Sequence, residues 1–343
     1  MLSVTKMFVM KRYFVSICVI ISSFLCACNY KSDVSFEFPT PPPEPVATPL
    51  TKLELKRDAG LEAAIANTAE EAKGKVGVAA VVIETGDAVL LNADQHYPMQ
   101  SVYKLPISMA VMDQVRLGKL DLDEMIGVTK EDLVRQGLRS PLRDANPNGG
   151  EFTIRELIRL ALVESDGTAS DVLMRVAGSG VEVQEFLTQI GIRDINVVNT
   201  EKEIGSDWAT QYENWATPSA AVELLRWLQA NVAFTSDVAD ASKSEESGTV
   251  GYPMIYKFMA GSNPGQRRLK GHLPPGTIVA HKTGTGGTQN GIAGATNDIG
   301  IIELPNGKHL AIAVFVSDSA VDERTREAVI AKISKSAWDK WSK

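Results

Sequence analysis

What most constrains this chain is the order of its apolar segments. Strand-like runs stand on both sides of a long helical block, with no strand–helix–strand alternation between them. The early runs are "VGVAAVVIE" and "AVLLNAD", flanking Thr85-Gly86-Asp87, a hairpin signal. The late ones are "GTIVAHKTGT", "AGATNDIGIIEL" and "HLAIAVFVSD", the last two joined around Asn306-Gly307. In between, residues 102–117 read as an apolar helix that tolerates Pro106 near its first turn. Thr153 and Glu156 make a capping box before "LIRLALVES", and Thr217-Pro218 opens "SAAVELLRWLQA". Helical patterns also begin and end the globular part, at "LELKRDAGLEAAIANTAEEAK" and over about residues 320–342. The expected fold is mixed α/β of the α+β kind: a mostly antiparallel sheet with terminal helices on one face and an inserted all-helical half. The pattern does not fit a doubly wound parallel sheet.

The first residues obey other rules. Lys11 and Arg12 precede an apolar run from Tyr13 to Leu25, too short to span a membrane comfortably, so residues 1–27 read as a signal peptide. Met1, Met7 and Met10 leave the start open. All three cysteines (Cys18, Cys26, Cys28) lie within the first 28 residues, so the globular part has no disulfide and depends on its core. Six prolines between Pro39 and Pro49 make residues 28–52 a semi-rigid linker, and the domain is expected over residues 53–343. The 343-residue chain has 35 basic and 42 acidic residues. Removing Lys6, Lys11 and Arg12 with the leader leaves 32 against 42, a net charge of −10, which disfavours nucleic acid as a partner.

The chemistry begins at "PMQSVYKLPIS", where Ser101 lies three residues before Lys104 at the start of a helix. That spacing puts both side chains on one face, so a lysine of lowered pKa can activate the hydroxyl. Alone it is weak, since Ser3 and Lys6 share it in the leader. Later come "VESDGTASD", with Ser165 and Asp166, and "AHKTGTGG", with Lys282, Thr283 and Gly284 at a strand end. A Ser-Asp pair is usually a helix cap, and Lys-Thr-Gly usually a strand end. The four histidines have no metal-ligand spacing and no Gly-x-Ser-x-Gly elbow occurs, so neither a metal nor another cofactor is expected. Ser-x-x-Lys, Ser-Asp-Asn and Lys-Thr-Gly, in this order, mark class A β-lactamases and penicillin-binding proteins.

On these motifs the chain resembles the class A serine β-lactamases, specifically the PER-like subgroup, from about residue 55 to its end. "TNDIGII" and the Ω-loop-like "NTEKEIGSDWATQYENW" share in the resemblance. It implies that Ser101 is the acylated nucleophile and that Lys104, or Glu201 through a water, is its base. Ser165 would relay a proton to the leaving nitrogen, Lys282 would hold Ser165, and Glu201 would activate the deacylating water. Glu203 competes with Glu201 for that role. Thr283, Gly284, Thr285 and Arg268 would bind the substrate, with Arg267 the competitor of Arg268, and backbone N–H groups of Ser101 and Thr285 would form the oxyanion hole. Asn214 falls where the subgroup closes its loop. "LCAC" resembles a lipobox, which implies lipidation of Cys28 and a periplasmic enzyme anchored by lipid. Asn29 would favour the outer membrane. A monomer acting on β-lactam antibiotics is implied.

Three positions depart from that pattern. Gly167 replaces the asparagine of Ser-Asp-Asn beside the substrate, Gly205 follows Glu201 where many members have asparagine, and Arg139 takes the place of an aromatic rim residue. The alternative readings are a penicillin-binding DD-peptidase, which needs no deacylating glutamate, and a lipoprotein that binds β-lactams without hydrolysing them. Glu201 favours the hydrolase.

Overall fold

The strand "KVGVAAVV" (residues 75–82) is apolar at nearly every position, which is what a strand covered on both faces requires. In the computed structural model, which describes residues 47, 49–238 and 251–343, it lies near the middle of the principal sheet. The expected signal peptide, Cys28 and most of the expected linker lie outside the described residues. Across the sheet the strands run Lys56–Arg57, Asp87–Leu91, Lys75–Val82, His309–Ser319 and Ile292–Glu303. Val279–Thr285 and the short Thr288–Gln289 pair with the free side of the last of these. All pairings in this sheet are antiparallel except that of Lys56–Arg57 with Asp87–Ala88.

Alternation along the strands divides the core. Val76, Val78, Ala80 and Val82 face the terminal helices Ala59–Ala69 and Glu323–Trp341, burying with Ile65, Ile330 and Ile333. Ala79, Val81 and Phe315 face the helical half, where Leu105, Met109 and Leu162 bury with them. The sheet and the inserted helical half therefore share one core, and the antiparallel architecture expected from the sequence is present.

Local signals mostly hold. Thr153 and Glu156 form the capping box, and Thr217 accepts the Ala220 N–H at the start of Pro218–Val238. Gly86 and Gly307 both take positive φ, at 76° and 80°, in the two hairpin turns. The first helix starts later than its periodicity indicates. Asp58 caps it by accepting the Leu61 N–H, and the two residues before it join the sheet instead. Leu50 and Leu53 pack on the larger core, so part of the expected linker touches the domain.

Candidate active site

Residues 100–103 form a 3₁₀ turn that leads into the helix Lys104–Arg116. The turn is fixed from outside: Asn214 O accepts the Met99 N–H at 2.9 Å, and Asn297 Nδ2 donates to Pro98 O at 2.7 Å. Gln100 is held at φ 48°, a left-handed conformation that costs a non-glycine residue energy. The result brings Lys104 Nζ, fully buried, to 2.8 Å from Ser101 Oγ. The same nitrogen donates to Glu201 Oε2 at 2.5 Å, and Tyr103 OH donates to that oxygen at 2.9 Å. Ser101, Lys104 and Glu201 are thus one continuous chain of hydrogen bonds.

A second pair stands opposite. Ser165, also left-handed at φ 58°, receives a hydrogen bond of 2.9 Å from Lys282 Nζ. Lys282 lies on the strand Val279–Thr285, opposite Ile299, and is fully buried. Burial first, then the nearby Lys104 charge, pushes its pKa well below the usual lysine value. Asp166, next to Ser165, serves as a cap after all: it accepts the Ala169 N–H at 2.8 Å and the Leu142 N–H at 2.7 Å. Ser140 Oγ donates to it as well. These bonds hold the Ser165 turn against the segment 138–142.

Glu201 opens the four-residue helix Glu201–Ile204. Burial by itself would raise its pKa, but the Lys104 ammonium and the Tyr103 hydroxyl hold it below the usual carboxylate value. Asn214, fully buried, closes the loop by accepting the Val198 and Asn199 N–H groups, both at 2.9 Å, and donating to Asn199 O. Asp171 accepts the Glu201 N–H at 2.6 Å and that of Lys202 at 3.2 Å; burial pushes its pKa up to about 7. Glu203 is away from the cleft, exposed, with its carboxylate bound to the N–H and hydroxyl of Thr200 in a capping box. The Thr200-x-x-Glu203 spacing carried that information.

Arg268 and Arg267 also separate. Arg268 is buried, donating to Gly284 O at 3.0 Å, Asn297 O at 2.9 Å and Thr285 Oγ1 at 2.8 Å. Arg267 is 70% exposed and pairs with Glu327. Gly284 sits so close to the start of the 100–103 turn that a Cβ there would lie 2.2 Å from Met99 O. Gly205 has a similar reason, since its Cβ would meet Leu138 Cδ1 at 2.9 Å, and its carbonyl accepts from Arg135. Arg139 lies at the rim, 55% exposed, bound to Glu164. Ser101, Ser165, Glu201, Thr283 and Thr285 all line a cleft of about 640 Å³, with Arg139 at its edge. Tyr103 and Asp171, which hold Glu201, had no distinguishing signal in the sequence.

A serine on a buried lysine, with a second serine–lysine pair across a cleft beside a sheet edge, defines a serine hydrolase without histidine. Residues 60–341 match the Beta-lactamase enzyme family, and the chain belongs to it, as a class A serine β-lactamase. Among its relatives, Beta-lactamase VEB-1 of Pseudomonas aeruginosa is 38% identical over 275 residues, 80% of this chain and 88% of that protein. Extended-spectrum beta-lactamase PER-1 of the same organism is 36% identical over 268 residues, 78% of this chain and 82% of its own. The TLA-3 extended-spectrum β-lactamase superposes with a TM-score of 0.74 at 40% identity, covering 83% of this chain and 99% of that one. A β-lactamase from Chitinophaga pinensis gives 0.74 at 38% identity, covering 82% and 99%. The chain hydrolyses the β-lactam ring, the reaction that confers resistance to these antibiotics.

Proposed function

We propose the following division of labour for that hydrolysis, carried by one observation: Lys104 Nζ touches both Ser101 Oγ and Glu201 Oε2. The free-amine form of Lys104 takes the Ser101 proton as Oγ attacks the lactam carbonyl. The C–N bond breaks, Ser165 protonates the leaving nitrogen, and Lys282 keeps Ser165 in place. The proton taken from Ser101 restores the array. In the second half, Glu201 takes a proton from the attacking water, the ester collapses, and Ser101 recovers its proton through Lys104. Backbone N–H groups of Ser101 and Thr285 stabilise the oxyanion.

Substrate orientation comes from the other wall. Thr283, Gly284, Thr285 and Arg268 receive the substrate carboxylate, while Lys104 and Lys282 add positive potential that favours an anion. Likeness to relatives named extended-spectrum β-lactamases supports a substrate range that includes both penicillins and cephalosporins.

The enzyme acts, on this reading, as a monomer in the periplasm, exported by residues 1–27 and anchored through lipidated Cys28 to the outer membrane. "LCAC" and Asn29 support this, and among the described residues no helix is long and apolar enough to cross a membrane. Labelling cells with palmitate is expected to mark the wild-type chain and not Cys28→Ala; an unlabelled wild type contradicts the anchor.

Turnover of a chromogenic cephalosporin, followed beside intact-protein mass, tests the chemistry. Wild type is expected to turn over, and Ser101→Ala to lose activity by on the order of 10⁴-fold or more and to gain no adduct. An active Ser101→Ala enzyme contradicts the assignment.

A further inference from the structure

Gly167 is the first residue of the helix Gly167–Ala177, and it takes the place of the asparagine in the Ser-Asp-Asn pattern. A Cβ at this position would lie 2.8 Å from Glu201 Cγ, 3.4 Å from its Cδ and 3.1 Å from Arg139 O. The first separation is shorter than real Cβ contacts, so one partner has to move. The helix start cannot readily do so. Gly167 donates its N–H to Arg139 O at 2.9 Å, and fully buried Asp166 anchors the preceding turn through Leu142, Ala169 and Ser140. What remains is the Glu201 side chain, whose position places its carboxylate on Lys104 and Tyr103.

We propose that Gly167 is a positioning residue for deacylation: the empty space beside its Cα lets Glu201 seat directly on Lys104. The glycine is then more than a lost hydrogen-bonding amide. The carboxylate approaches the lysine through space that a side chain at 167 would occupy. In this chain a Cβ there meets Glu201 Cγ first, so it shifts Glu201 more than Ser101, Lys104, Ser165 or Lys282 and slows the second half of the reaction selectively. This rests on Glu201 being the deacylating base.

The test uses Gly167→Ala in the full chain, with Glu201→Gln beside it, followed by stopped-flow hydrolysis and intact-protein mass. Gly167→Ala is expected to show a burst of one equivalent, an accumulated acyl adduct and a kcat at least tenfold lower, with the acylation rate changed less than threefold. Equal slowing of both steps, or full-speed deacylation, overturns the proposal. If Glu201→Gln traps the adduct and Gly167→Ala does not, this inference fails alone; if Glu201→Gln turns over normally, the underlying reading fails too.

A double-mutant comparison of melting temperature covers the event that Gly167→Ala folds poorly. The alanine is expected to lower Tm in wild type but not in Glu201→Ala, where the colliding methylene is gone. An equal loss in both backgrounds overturns the proposal.

Discussion

On one wall of the cleft, Lys282, Thr283 and Thr285 ride a strand whose seven residues pair in register with Thr296–Ile302. On the other, Glu201 sits in a four-residue helix held by the side chains of Asn214, Asp171 and Thr200. The strand wall derives its geometry from a backbone ladder, and many sequences build such a ladder. The loop wall derives its geometry from particular side chains and close-packed glycines, so each substitution there reaches Glu201. On the division of labour proposed above, substrate binding relies on the strand and deacylation on the loop.

Asn214→Ala strikes the loop wall hardest. It leaves the Val198 and Asn199 N–H groups and the Asn199 carbonyl without their buried partner, at a cost of about 1–3 kcal/mol, and should lower Tm by a few degrees. Its kcat is expected to fall more than its acylation rate; an unchanged Tm and kcat would break the comparison.

On the strand wall, Arg268→Ala should raise KM by about 10- to 100-fold, as expected for a lost charged hydrogen bond to substrate carboxylate. Exposed Arg267→Ala should change it less than about twofold, since surface ion pairs contribute little. Steady-state kinetics on one cephalosporin separates the two, and the reverse ranking exchanges their roles.

The smallest effect concerns pH. Burial raises the pKa of Asp171 to about 7 in the folded chain, against about 3.9 in an unfolded one. Between these values the folded state holds a proton that the unfolded state has released, so this group's contribution to stability falls as pH rises. Asp171→Asn should therefore flatten the fall in stability between about pH 4 and 7, measured by urea unfolding. An unchanged pH dependence removes Asp171 from the account.

The same contrast governs what could be read from the sequence. Ser-x-x-Lys is legible because three residues along a helix fix a shared face, and Lys-Thr-Gly because a strand end fixes its neighbours. The antiparallel sheet was legible from the two sets of apolar runs and their Asn-Gly and Gly-Asp turns. Glu201 could be separated from Glu203 through the capping box, a local rule. Tyr103 and Asp171 were illegible because their contacts span 98 and 30 residues, which no local spacing encodes. The first helix was over-extended because parallel pairing of Lys56–Arg57 with Asp87–Ala88 overrides the helical periodicity before Asp58. Gly167 reads as a loss in the sequence and as a fit in the fold, because only the packed loop shows what occupies the space.

The most direct measurement is stopped-flow hydrolysis of a chromogenic cephalosporin by Glu201→Gln, which keeps the shape of the side chain and removes its charge. The account predicts a burst of one equivalent on Ser101, then turnover reduced on the order of 10²- to 10⁴-fold. Steady turnover at the wild-type rate with no burst would contradict it, and would mean that the loop wall does not carry deacylation.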